Sequence, residues 1–489
     1  TGLVGSEMCM RDRISYGSSM KQAQTLGRLR KSGWLSRTVK EEIRQNAIKR
    51  IQEGEELFPG VLGYENTVIP QLENALLAGH DFIFLGERGQ AKTRMIRGLT
   101  DLLDEWMPII AGSEINDDPY NPVSKYAIDL VNEKKDATPI EWVHRSERFG
   151  EKLATPDTAI ADLIGEVDPI KVAEGRYLSD ELTLHYGLVP RTNRGIFAIN
   201  ELPDLSERIQ VGLLNVLEER DVQVRGYKIR LPLDILLVAS ANPEDYTNRG
   251  RIITPLKDRF GSQLRTHYPF EVELEKDIAV QEAEIFSQTD LAVSVPEFMS
   301  MIVATVTHAA RESSHINQRS GVSVRVTVAN YEALIAGAVR RTLLSNETEV
   351  IPRISDLSAL IASTAGKIEV ESLDDGREIE IIQYLIKQSI LDTFKATADQ
   401  TLCADILKAF TDGAVINAGD DIPSDTYLQW LKDIPAFTPV LESIGLTQDD
   451  LQNPSAVASG IEFILEGLHL SKLLNKEAMG DSGVYRARA

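Results

Sequence analysis

Apolar residues follow two regimes along this chain. From 80 to 270, short apolar runs alternate with stretches of helical spacing. Phe82–Leu85 (FIFL) is an unbroken apolar run, the mark of a buried strand. A Gly-rich turn follows, then Met95, Ile96, Leu99, Leu102 and Leu103 recur at helical spacing. Residues 107–139 are rich in Pro and Asp and predict a surface insertion, and 140–145 (IEWVHR) predict the second strand. The run 195–199 (GIFAI) predicts another buried strand. It is followed by an amphipathic helix with Leu205, Ile209, Leu213, Val216 and Leu217 on one face. Alternation around Gly226 (VQVRGYKIRL) predicts a hairpin. The segment DILLVASANP predicts the next buried strand and 263–270 (QLRTHYPF) the last one. Strands alternating with helices in this way predict a parallel, three-layer α/β sheet.

From 271 the spacing is helical, in EKDIAVQEAEIFS, EFMSMIVATVTHAARES and TVANYEALIAGAVRRTLL. The expected division is therefore a basic helical segment at 20–57, an α/β core at 58–270, a helical domain at 271–370, and an acidic, mainly helical region at 371–489. Residues 1–19 have neither periodicity and are expected to be non-native or disordered. The tail DSGVYRARA is expected to be of the same kind.

Composition narrows the function classes. The 489 residues carry a formal net charge of −22, which repels phosphate backbones and argues against nucleic acid as a partner. No apolar run approaches the roughly 20 residues of a membrane helix, so no membrane partner is expected. Two distant cysteines, Cys9 and Cys403, give no disulfide framework, and a cytoplasmic setting is expected. Residues 21–50 run against the overall charge, with Lys21, Arg28, Arg30, Lys31, Arg37, Lys40, Arg44, Lys49 and Arg50 facing only Glu41 and Glu42. That stretch is either a solvated helix face or a contact with an acidic neighbour.

Five short segments carry candidate chemistry. Gly86-Glu87-Arg88-Gly89-Gln90-Ala91-Lys92-Thr93 matches a phosphate-binding loop between strand and helix, with Ala91 where Gly is usual. Lys92 would reach the β- and γ-phosphates of ATP, and the Thr93 hydroxyl would hold Mg²⁺. Ala91 is tolerable there if its φ is negative. Asn200-Glu201 follows the strand GIFAI at a sheet edge, where α/β folds bind ligands. Glu201 could orient or activate water, while Asn200 stands where an Asp would help hold hydrated Mg²⁺. Asn242 ends the strand of VASANP and could hold the water or a phosphate. Arg259 (LKDRF) precedes the last strand, and Arg325 (SVR) starts a helix of the second domain.

In this order the segments resemble AAA+ ATPases, and more narrowly the MoxR and magnesium-chelatase ATPase-subunit branch. The segment 165–195 resembles the chelatase helix-2 insertion, and 220–245 its hairpin before the sensor strand. The resemblance spans 58–345. It implies an AAA+ P-loop core with a helical lid over 271–370. It assigns 86–93 to the nucleotide, Thr93 and Asn200 to the metal, Glu201 as catalytic base and Asn242 as first sensor. Arg259 becomes an arginine finger acting on a neighbour's nucleotide, and Arg325 a second sensor. Sites shared between subunits imply a homo-oligomeric ring, a hexamer. The implied work is remodelling or chaperoning of a protein, the usual partner in this branch carrying a von Willebrand factor A domain. No D-x-S-x-S site of such a domain occurs in the sequence, so that partner would be a separate chain. Three alternatives remain: a magnesium-chelatase motor in tetrapyrrole synthesis, a nucleotide-gated scaffold that does not hydrolyse, and a DNA-linked AAA+ protein. The GAFTGA loop of one such DNA-linked class is not in the sequence.

Overall fold

The structure, a computed structural model, describes residues 23–167, 184–218, 221–223, 230–242, 251–285, 291–318, 320–370, 377–479 and 482–488. Residues 1–19, expected to be non-native, lie outside the described residues, as does the turn of the predicted hairpin at Gly226. The chain divides into two compact units. The first comprises residues up to Glu87 and Ala91–His267, and the second Arg88–Gln90 and Tyr268 onward.

The first unit is built on five parallel strands: β1 (Phe82–Leu85), β4 (Phe149–Leu153), β5 (Gly195–Asn200), β8 (Ile235–Ala241) and β9 (Ser262–Arg265). Their order is β9–β1–β8–β5–β4. Parallel strands are covered on both faces and so read as continuous apolar runs, and every residue of β8 is buried. Alternate residues feed two cores. Phe82, Phe84, Ile196, Ala198, Leu236 and Val238 meet helices α1 (Val39–Glu53), α2 (Val68–Ala78) and α3 (Lys92–Gly98). Ile83, Phe197, Ile199, Ile235, Leu237 and Ala239 meet α5 (Glu207–Glu218). The predicted apolar face of α5 packs there through Ile209, Leu213 and Val216, preceded by Leu205. The side chain of Leu217 is outside the described residues. This is the three-layer α/β core expected from the sequence.

Two strand assignments change. Residues 140–145 do not form the second strand of the core: β3 (Ile140–His144) pairs antiparallel with β2 (Trp106–Ile110) in a separate ribbon. With α4 (Lys125–Lys134), the supposed surface insertion forms a small folded lobe around Leu26, Ile110, Ala127 and Ile140. The strand beside β5 is instead β4, whose sequence FGEKL was unreadable because an edge strand is only half covered. The last strand is also shorter than 263–270. Its ladder ends with the amide of Thr266 donating to Leu85 O, three residues before Pro269, which has no N–H to give. The predicted hairpin is present as β6 (Asp221–Gln223) paired with β7 (Arg230–Pro232).

Part of the basic stretch is paired within its own unit. Arg30 bridges to Asp136, Arg37 to Asp104 and Lys40 to Asp81, and Arg50 donates to the carbonyl of Asp101. Beneath α1, Glu42 receives both terminal nitrogens of the fully buried Arg148, at 2.7 and 2.6 Å.

The second unit is helical around one core. Helices α7 (Val272–Glu282), α8 (Glu297–Glu312), α9 (Val324–Ser345), α10 (Arg377–Thr397) and α11 (Pro454–Leu470) share a single apolar cluster. Residues 271–370 and 371–489 therefore contribute to the same interior. The tail is not an unstructured remnant. Strand β12 (Ser482–Ala487) lies between β10 (Ile416–Gly419) and β11 (Leu474–Met479) in an antiparallel sheet. Tyr485 is buried and donates its hydroxyl to Glu466 at 2.5 Å. The tail went unread because VYRA is too short to show a period. Among the described residues, no helix is long and apolar enough to cross a membrane.

Candidate functional site

The loop 86–93 joins β1 to α3, as the motif requires. Gly89 has φ +74°, a conformation only glycine adopts freely. Ala91 has φ +51° and caps α3 in the left-handed region. The negative φ that would make alanine tolerable there is not what the chain adopts. An L-residue in that region strains its Cβ against the following carbonyl, costing about 1–2 kcal/mol. Left-handed residues at Gly89 and Ala91 are the kind of backbone from which anion-binding nests of N–H groups are made.

Lys92 is buried, and its ammonium is held by the chain itself. It donates to the carbonyls of Gly86 and Glu87, the latter at 2.7 Å, and to Oδ1 of Asn242 at 2.8 Å. Asn242 in turn donates from Nδ2 to Glu201 Oε2 at 2.7 Å. The amide can point only one way, because an ammonium only donates and a carboxylate only accepts. Strand pairing sets this up: β8 lies between β1 and β5, so its last residues stand between the loop and the end of β5. Glu201 has φ +55°, a left-handed turn that lifts it out of the line of β5. The structure thus joins Lys92, Asn242 and Glu201 in one hydrogen-bonded row.

Asn200 is bound on both sides. Its Oδ1 accepts from the Ser240 hydroxyl at 3.2 Å, and its Nδ2 donates to Glu151 Oε1 at 2.5 Å. Glu151 also takes the Arg97 side chain on Oε2 at 2.9 Å. Neither Glu151 nor Ser240 stood out in the sequence. Glu151 is visible only once β4 is placed beside β5, with Glu151 opposite Ala198 and Leu153 opposite Asn200.

Thr93 is half-buried in the first turn of α3. Arg259 ends helix α6 (Thr254–Arg259), exposed and 3.4 Å from Asp258. Arg325 is exposed in the first turn of α9, within the second unit, its amide capped by Ser323. The row of Lys92, Asn242 and Glu201 includes neither arginine.

The donors at this edge are hard oxygens: the Thr93 hydroxyl, the Asn200 amide and the carboxylates of Glu201 and Glu151. They are the type Mg²⁺ takes. Among the described residues, no group of three or more His, Cys, Asp or Glu side chains could hold a metal ion alone.

The family model for the Sigma-54 interaction domain matches residues 173–259. The magnesium-chelatase subunit ChlI of Nostoc sp. is 30% identical over 237 residues, 46% of this chain and 58% of that protein. The ChlI subunit of Nephroselmis olivacea is 24% identical over 351 residues, 66% of this chain and 92% of that protein. The chain spans somewhat under three fifths of the Nostoc relative. A chain of a magnesium-chelatase BchI–BchD complex from single-particle cryo-EM covers 66% of this chain and 98% of its own, at 19% identity and a TM-score of 0.34, too low to argue from. Sheet, loop and relatives together support an AAA+ ATPase similar to the magnesium-chelatase subunits.

Proposed function

We propose that the chain hydrolyses ATP in a homo-oligomeric ring and uses the cycle to remodel a protein partner. The observation that carries this reading is the row Lys92–Asn242–Glu201 at the carboxyl end of a parallel sheet. Lys92 leaves its carbonyl partners to contact the β- and γ-phosphates, with the loop amides around Gly89 and Ala91 holding the remainder. Asn242, released from Lys92, keeps Glu201 oriented, and Glu201 accepts the proton of the attacking water. Mg²⁺ bound with the nucleotide would supply positive charge to neutralise what develops on the phosphates. Thr93 and Asn200 would hold that ion. Arg259, exposed at a helix end, acts on a neighbouring subunit's nucleotide, and Arg325 serves as the second sensor that the resemblance implies. A hexamer is the ring this family resemblance implies. The partner is a separate protein with a von Willebrand factor A domain, and the setting is cytoplasmic, in keeping with the buried, unbridged Cys403.

Steady-state hydrolysis against Mg²⁺ and protein concentration tests the reading. Turnover should rise with both, and Glu201→Gln should lower it by about 10²–10⁴-fold, the usual contribution of a general base, with ATP still bound. Tight ATP binding with no turnover under any condition would leave a nucleotide-gated scaffold, a reading favoured by the missing charge at Asn200. Similarity to chelatase subunits favours a second reading, a motor for metal insertion into a tetrapyrrole. A chelation assay with the other subunits decides that one. The DNA-linked alternative has only the match at 173–259 behind it.

A further inference from the structure

The missing acid at position 200 has a counterpart one strand away. Asn200 hydrogen-bonds Glu151 at 2.5 Å across β5 and β4, and the register puts the two side chains on the same face of the sheet. That face is also the face of α3, the helix that begins with Lys92 and Thr93. The contact is specific in direction. Asn200 gives its amide hydrogens to Glu151 and turns its oxygen toward the Ser240 hydroxyl, which donates to it. A carboxylate at 200 could not do this, because two carboxylates at such a distance would repel or have to share a proton.

We infer that Glu151 supplies the negative charge that residue 200 lacks. It acts through Asn200 as a positioning residue for the divalent cation that accompanies the nucleotide. Asn200 and Glu151 together do the work of one Asp, with the charge moved to the edge strand. Electrostatics makes this workable. A unit charge acts on a dication over several ångströms in a partly buried site, whereas a hydrogen bond reaches only its neighbour. Arg97, the other partner of Glu151, is 64% exposed at its side chain, and an ion pair so open to water masks little of the charge. The plain alternative is that Glu151 only pairs with Arg97 and ties α3 to the sheet edge.

The inference rests on the nucleotide site proposed above, and its test separates the two. Mn²⁺ binding is read by electron paramagnetic resonance with ADP present, and ADP affinity is read separately in EDTA. Glu151→Gln keeps the shape and one acceptor for Asn200, gives up only the acceptor facing the exposed Arg97, and should fold. It should weaken Mn²⁺ about tenfold, as loss of one nearby charge requires, and leave ADP affinity in EDTA unchanged. The exchanged pair Glu151→Gln with Asn200→Asp restores one carboxylate facing one amide. It should return Mn²⁺ affinity to within about threefold of the native value. Arg97→Gln should leave Mn²⁺ affinity equal or tighter. Native Mn²⁺ affinity in Glu151→Gln, or equal losses with and without the metal, overturns the inference while the nucleotide site stands. A native chain that binds no ADP in either condition overturns the site, and this inference with it.

Discussion

Ala91 shows what a single residue can store. Its sequence position says phosphate loop, and its φ of +51° says strain. The natural replacement is glycine, which adopts that angle freely but costs more entropy on folding. The left-handed penalty of about 1–2 kcal/mol exceeds the roughly 0.4–1 kcal/mol by which glycine loosens the unfolded chain. Ala91→Gly should therefore stabilise the first unit by up to about 1 kcal/mol, measured by urea unfolding. A lower midpoint would show that the loop holds Ala91 without strain. The residue scale is also where the sequence was most and least readable. Lys92, Glu201 and Asn242 could be picked out because each sits at a fixed offset from an apolar run. Glu151 could not, because its role comes from a neighbour 49 positions away in the chain.

At the scale of elements, Glu275 ties three helices together. It is fully buried on α7, takes both terminal nitrogens of Arg311 on α8 at 2.5 and 2.8 Å, and accepts from Thr327 on α9 at 2.5 Å. His308 Nε2 lies 2.8 Å away. Burial alone would push the carboxyl up, but the His308, Arg311 and Thr327 contacts outweigh it and hold the pKa below 4.5. A depressed folded value adds stability above the unfolded pKa, and that stability is lost as pH falls through the folded value. The urea midpoint of α7–α9 should thus fall as pH drops below 4.5, less steeply in Glu275→Gln than in the native chain. Arg311→Met leaves the carboxylate buried without its main partner and should cost about 3–5 kcal/mol at pH 7. Hydrogen exchange on these helices reads both, and native protection in Arg311→Met would rule out the tie. The helices themselves were legible from apolar spacing. The edge strand β4 and the tail strand β12 were not, since one is half-covered and the other is short.

For the molecule as a whole, the question is whether active sites are shared. If Arg259 acts on a neighbour, Arg259→Ala and Glu201→Gln chains should each be nearly inactive. Mixed, they should regain a measurable fraction of native turnover, because some junctions then pair a native Glu201 with a native Arg259. The loss in Arg259→Ala alone should be about 10³-fold or more. Mixtures no better than their parts would place each site within one chain.

Lys92 already has a full set of acceptors before any ligand arrives. A visiting anion must therefore outbid three oxygens, two of them fixed in the backbone. One small, well-hydrated anion offers too little in exchange, whereas a triphosphate brings many oxygens on one tether and collects the loop amides as well. The self-satisfied lysine thus acts as an entry threshold that filters by valency. Millimolar inorganic phosphate should displace a fluorescent ADP analogue poorly, and Lys92→Ala should narrow the gap between phosphate and ADP by weakening the nucleotide far more. Phosphate that competes as well as ADP would mean there is no threshold.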